Sequence, residues 1–129
     1  MNKEIFQEGT VWEEAVGYSR AVRVGNHIEV SGTTANINGQ VQFKQDVYHQ
    51  TTFILEKIES SLLKMGGTLN DVVRTRIYVI DISQWEQVAK AHGEFFGSIK
   101  PATSMVQVAA LIDPDLLVEI EASANVNES

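Results

Sequence analysis

The chain contains no cysteine. Disulfides, thiolate metal centres, iron–sulfur clusters and a cysteine nucleophile are thereby excluded. Basic residues are scarce as well: ten Lys and Arg stand against seventeen Asp and Glu, for a formal charge of −7. A broad phosphate-contacting surface needs clustered cations to release counterions, so no nucleic-acid partner is expected. No stretch approaches the ~18 apolar residues of a membrane helix, and no membrane partner is expected either. His27, His49 and His92 lack metal-ligand spacing, so no metal is expected. Ser19, Ser31 and Ser104 have no histidine–acid pair at a motif spacing.

The length of 129 residues suits one domain, 1–129, and 43% hydrophobic residues suffice for a packed core over about 15–125. Residues 1–14 carry four Glu, one Lys and no apolar run. They read as an irregular lead-in tied down by Phe6, Val11 and Trp12, not as a secretory signal. From Asn125 onward the chain is polar and is expected to fray. A cysteine-free acidic chain of this kind fits a cytoplasmic setting.

Two turn signals open the domain. Gly25-Asn26 separates Ala21–Val24 from His27–Ser31, and Asn38-Gly39 separates Ile37 from Val41–Phe43. Together they predict a three-stranded meander. Asp46 caps a helix in which Val47, Thr51, Ile54, Leu55, Ile58, Leu62 and Met65 recur at helical spacing, stopped by Gly66-Gly67. Val73, Thr75, Ile77 and Val79 alternate with Arg74, Arg76 and Tyr78 as a strand. Ser83 and Glu86 form a capping box for a second helix with Trp85, Val88, Ala89, His92, Phe95 and Phe96 on its apolar stripe and Gly97 at its end. Met105–Ala110 and Leu116–Ala124 complete the order β-β-β-α-β-α-β-β. This is an α+β two-layer sandwich with two helices on one sheet face. Alternation puts Arg74, Arg76, Tyr78, Met105, Gln107, Glu119 and Glu121 on the other face, which is either solvated or covered by another subunit.

Four segments, taken in order, resemble the RidA/YjgF family of reactive-intermediate deaminases, whose members are also labelled L-PSP endoribonucleases. They are Gly17-Tyr18-Ser19-Arg20-Ala21-Val22, Val30-Ser31-Gly32, Asp71-Val72-Val73-Arg74-Thr75, and Pro101-Ala102-Thr103-Ser104 leading to Val118-Glu119-Ile120-Glu121-Ala122. The resemblance implies a chorismate-mutase-like fold assembled as a homotrimer, with small-molecule clefts between subunits. It implies hydrolysis of enamine or imine intermediates to a 2-keto acid and ammonia, without a metal or organic cofactor.

By the same resemblance Glu119 orients the attacking water. Tyr18 arrives from the neighbouring subunit, and Ser31, Gly32 and Met105 contact the ligand. Thr103 stands where the family carries an arginine that grips the substrate carboxylate. Losing that charge-assisted contact costs ~1.5–3 kcal/mol, which weighs against typical 2-iminopropanoate deamination. Arg76 or Arg20 is the candidate substitute for binding an anionic ligand; the alternative is that both neutralise Glu119 and Glu121 structurally. Two other functions stay open. One is a non-catalytic ligand-binding or regulatory trimer. The other is an RNA-cleaving or translation-inhibiting role, against which the charge counts.

Overall fold

The computed structural model describes residues 2–127. Its strands are β1 (Lys3–Phe6), β2 (Ala21–Val24), β3 (His27–Thr33), β4 (Asn36–Ile37), β5 (Gln40–Val41), β6 (Val72–Val79), β7 (Ala102–Gln107) and β8 (Val118–Asn125). Its helices are α1 (Val11–Val16), α2 (Val47–Lys64) and α3 (Trp85–Phe96). Six strands form one sheet in the order β1-β2-β3-β8-β6-β7. All neighbours are antiparallel except β6 and β7, the pair joined through α3.

The core lies between the sheet and α2 with α3. Ile54, Leu55, Ile58 and Leu62 from α2 and Val88 and Phe96 from α3 meet Ile28, Val30, Ile77, Val79, Val118 and Ile120, all buried. The α2 stripe and its Asp46 cap are as the spacing predicts; Asp46 accepts from His49 N at 3.0 Å. Among the described residues no helix is long and apolar enough to cross a membrane.

Several sequence expectations are corrected. The N-terminal segment is not irregular: β1 pairs with β2, Lys3 opposite Val24 and Phe6 opposite Ala21. Helix α1 follows, held by a capping box in which Thr10 Oγ1 accepts from Glu13 N and Glu13 Oε1 accepts from Thr10 N. Val11 and Trp12 are exposed and tie nothing down. Conversely, β4 and β5 form a separate small hairpin, because Asn38 and Gly39 both adopt positive φ and the chain turns at once. Phe43 itself is left-handed at φ 53° and extends no strand. The sheet's sixth strand therefore comes from the N-terminus and not from the meander.

In β6 an irregularity between Val72 and Arg74 buries Val72 and exposes Val73. Asp81 accepts from Ser83 N ahead of α3, in place of a Ser83–Glu86 box, and Trp85 is exposed. Asn125 pairs with His27, so ordered pairing runs to the end of β8. Positions 128 and 129, the rest of the expected fraying end, lie outside the described residues.

The open sheet face also differs in one strand. Parallel register sets Arg74, Arg76 and Tyr78 beside Ala102, Ser104 and Val106. Met105 and Gln107 pair with Ile77 and Val79 and so belong to the helix-covered face. The sequence placed them on the opposite face because alternation fixes the pattern within a strand but not its register against a neighbour. Glu119 and Glu121 do lie on the open face, opposite Tyr78 and Arg76.

Candidate functional site

Between Val30, which pairs with Ala122, and Thr33, which pairs with Ile120, strand β3 has two residues where β8 has one. Ser31 and Gly32 thus form a β-bulge opposite Glu121, a device that re-aims side chains where a strand borders a site. Glycine at position 32 leaves the space that the Glu119 carboxylate occupies. A Cβ on Gly32 would lie 3.0 Å from Glu119 Cδ and collide with Oε2. The half-buried Glu119 carboxylate therefore rests against bare backbone.

A concavity of about 1000 Å³ opens at this bulge. Its rim is built by α1 and the residues on either side of it, the bulge, the β4–β5 hairpin, one side of α2, the loop at Ile112, and β8. Tyr18, Arg20, Ser31, Gly32 and Glu119, five residues on three segments of one chain, all border it. Ser31 Oγ donates to Ser19 O at 2.6 Å and fixes the bulge against the segment that carries Tyr18. The buried Arg20 donates from Nη2 to Gly32 O at 2.7 Å and lies under the Tyr18 ring, 5.7 Å from its centroid.

Electrostatically, Glu119 is the unusual acid. Burial pushes its pKa above the ordinary carboxylate range, the neighbouring Glu121 charge pushes the same way, and Arg20 opposes both. Glu121 is itself engaged, accepting from Tyr78 Oη at 2.7 Å. A carboxyl group raised in this way can hold or release a proton closer to neutral pH, as general acid–base work requires.

The remaining sequence candidates sit elsewhere. Arg76 lies on the open face opposite Glu121 and does not border the concavity. Thr103 and Met105 are on β7, the outer strand at the far edge of the sheet. Thr103 Oγ1 donates to Pro101 O at 3.2 Å and shares a 2.7 Å hydrogen bond with the buried Thr75 hydroxyl. Thr75 in turn meets His92 Nε2 at 2.9 Å. Among the described residues no group of three or more His, Asp and Glu is placed to hold a metal.

Two charged residues of the concavity escaped the sequence reading. Lys57 enters from α2, its Nζ 3.2 Å from Asn36 O and 5.9 Å from the Phe53 ring centroid. The available signal was Phe53 followed four residues later by Lys57, a same-face pair just outside the apolar stripe. Glu8 approaches Arg20 at 4.0 Å and belongs to the segment read as irregular.

The chain is thus an α+β protein with one six-stranded sheet, bulged beside a raised carboxyl group, and comparison with known proteins names the fold family. The Endoribonuclease L-PSP family model matches residues 11–126. A crystal structure from Mycobacterium tuberculosis, described as a member of the YjgF family, superposes with a TM-score of 0.89 at 50% identity, covering 97% of this chain and 100% of that one. A RutC family protein of Pyrococcus abyssi is 37% identical over 109 residues, 83% of this chain and 84% of its own. The 3-aminoacrylate deaminase RutC of Acinetobacter baylyi is 34% identical over 128 residues, 98% of this chain and 100% of its own. The chain belongs to the RidA/YjgF (L-PSP) family.

Proposed function

We propose that this protein is a hydrolytic deaminase of enamine or imine acids, with Glu119 as its general acid–base. The observation that carries the reading is the Glu119 carboxyl group, raised in pKa and set against bare Gly32 backbone in a concavity large enough for a small metabolite. The relative named as a 3-aminoacrylate deaminase supports it, since that substrate name denotes an enamine acid.

The chemistry asks little of the protein. An enamine takes a proton at carbon to give an iminium, which is already electrophilic. Glu119 accepts a proton from water as the water oxygen bonds to the iminium carbon and the C=N electron pair moves to nitrogen. The same carboxyl group returns the proton to nitrogen; then, as the C–N bond breaks and the carbinolamine oxygen forms the carbonyl, the regenerated carboxylate takes the hydroxyl proton, and ammonia and a 2-keto acid leave. No metal or organic cofactor is called for in any of these steps.

The functional unit in this reading is a cytoplasmic homotrimer. Within one chain the family's site positions fall into two groups, Tyr18, Ser31, Gly32 and Glu119 at the concavity and Thr103 and Met105 on the far edge strand. A neighbouring copy that brings its β7 edge to the concavity would unite them. The exposed Val11, Trp12, Val16 and Ile112 beside the concavity are the apolar surface such a contact would cover.

The test is release of 2-keto acid by the purified protein from imino acids generated in situ by an amino-acid oxidase. Acceleration above spontaneous hydrolysis is expected. No acceleration with any imine would overturn the reading in favour of a non-catalytic ligand-binding trimer, the function to which the uncharged Thr103 points.

A further inference from the structure

The concavity holds two cations that no assigned function uses. Arg20 is only 7% exposed, yet its Nε has no hydrogen-bond partner. The nearest carboxylate oxygen, on the more exposed Glu8, is 4.0 Å away and outside hydrogen-bond reach. Lys57 spends one ammonium hydrogen on Asn36 O, which leaves two. Burial lowers the Lys57 pKa, and the Arg20 charge adds to that while Glu8 opposes it. Two neighbouring desolvated cations are costly unless an anion joins them. Glu119 feels the Arg20 charge, but among the described residues it makes no ion pair within 4.0 Å with either cation.

We propose that Arg20 and Lys57 form the carboxylate anchor of this cleft, in place of a charged residue at position 103, and that its ligands are monoanionic 2-imino or 2-keto acids with an apolar side chain. This rests on the deaminase reading for the identity of the reacting group, but not for the anion site itself. The Gly32 carbonyl and the Tyr18 ring hold the guanidinium in place, with its Nε unpartnered. Ile37 and Phe53 supply apolar wall for a side chain larger than a methyl group. Arg76, half-exposed on the open face, has no part in the anchor.

The experiment is calorimetric titration of the wild-type protein with 4-methyl-2-oxopentanoate, with its uncharged methyl ester, and with 2-oxobutanoate. Lys57→Met is the main variant, since it breaks a single side-chain hydrogen bond at a half-buried position and leaves the core intact. Arg20→Lys keeps the charge but loses the planar fork, and Lys90→Met on α3 serves as the remote control. The branched keto acid should bind more tightly than 2-oxobutanoate, and the ester should not bind. Lys57→Met should weaken the acid by about ten- to a hundred-fold, and Arg20→Lys by a comparable factor. Wild type that fails to bind the acid at millimolar concentration overturns the anchor, as does a folded Lys57→Met protein that binds it within about twofold of wild type. The two readings fail separately. Lys57-dependent binding without imine hydrolysis sinks the deaminase and keeps the anchor; hydrolysis with KM unmoved by Lys57→Met does the reverse.

Discussion

Gly32→Ala separates the site from the fold. Gly32 is not among the residues with positive φ, so alanine fits its backbone, and a less flexible unfolded chain adds about 0.4–1 kcal/mol of stability. Against that, the new Cβ would stand 3.0 Å from Glu119 Cδ, 3.4 Å from Cγ, and in collision with Oε2. Ordinary carbon contacts need about 3.5 Å, so the carboxylate must move by roughly an ångström or more. It can do so, being the end of a flexible side chain, and the fold should survive with a Tm within a few degrees of wild type. The chemistry should not survive. A misplacement of about 1 Å costs on the order of a hundredfold when a reacting group must be held in line. The assay is kcat/KM for keto-acid release beside a thermal melt. Unchanged kcat/KM in a normally folded Gly32→Ala protein would refute the claim that the bulge seats a working Glu119.

Other outcomes follow from the same geometry. The acid limb of the kcat/KM–pH profile should lie above the ordinary carboxylate range, and Glu121→Gln should move it to lower pH by removing one of the causes that raise Glu119. Because the folded pKa of Glu119 is the higher one, its stabilising contribution is complete below the unfolded value and is lost as pH rises through the folded value. Glu119→Gln should therefore melt higher than wild type near neutral pH, and that advantage should vanish below about pH 4. Gln50 is fully buried, with Nε2 donating to Gln42 O, Phe43 O and Asp115 O and Oε1 accepting from Leu117 N. Gln50→Leu strands Gln42 O, Asp115 O and Leu117 N, while Phe43 O keeps Asp46 N, and should cost about 3 kcal/mol, on the order of 10 °C in Tm. Sedimentation equilibrium should return three times the 14.3 kDa chain mass; a monomer at micromolar concentration would dismantle the two-subunit cleft.

How far the sequence spoke depended on how local each feature was. The α2 stripe, the Gly25-Asn26 hairpin and the alternation of β6 from Arg74 onward are short-range patterns and read correctly. Even α1 carried its signal, the Thr10–Glu13 capping box, although no apolar stripe follows it and Val11 and Trp12 face outward. Long-range register was not legible. Met105 fell on the wrong face because its parallel pairing with Ile77 is set by the length of the α3 crossover and by packing. The bulge at Ser31-Gly32 was invisible for the same reason, since it exists only relative to β8. Glu119 was named through family resemblance, but its seat against Gly32 and its raised pKa come from the fold. Gln50 did leave a trace, a polar residue between Val47 and Ile54 on an otherwise apolar stripe.

The central claim is that Glu119 drives hydrolysis of an imine or enamine acid. Its most direct test is the rate of 2-keto-acid release by wild type and by Glu119→Gln, measured together over the same in situ imine and compared with the spontaneous rate. The account expects a clear acceleration by wild type and a fall of about a hundredfold or more, to near the spontaneous rate, in a Glu119→Gln protein of unchanged assembly. Wild type no faster than buffer, or a Gln variant that keeps the wild-type rate, would contradict it.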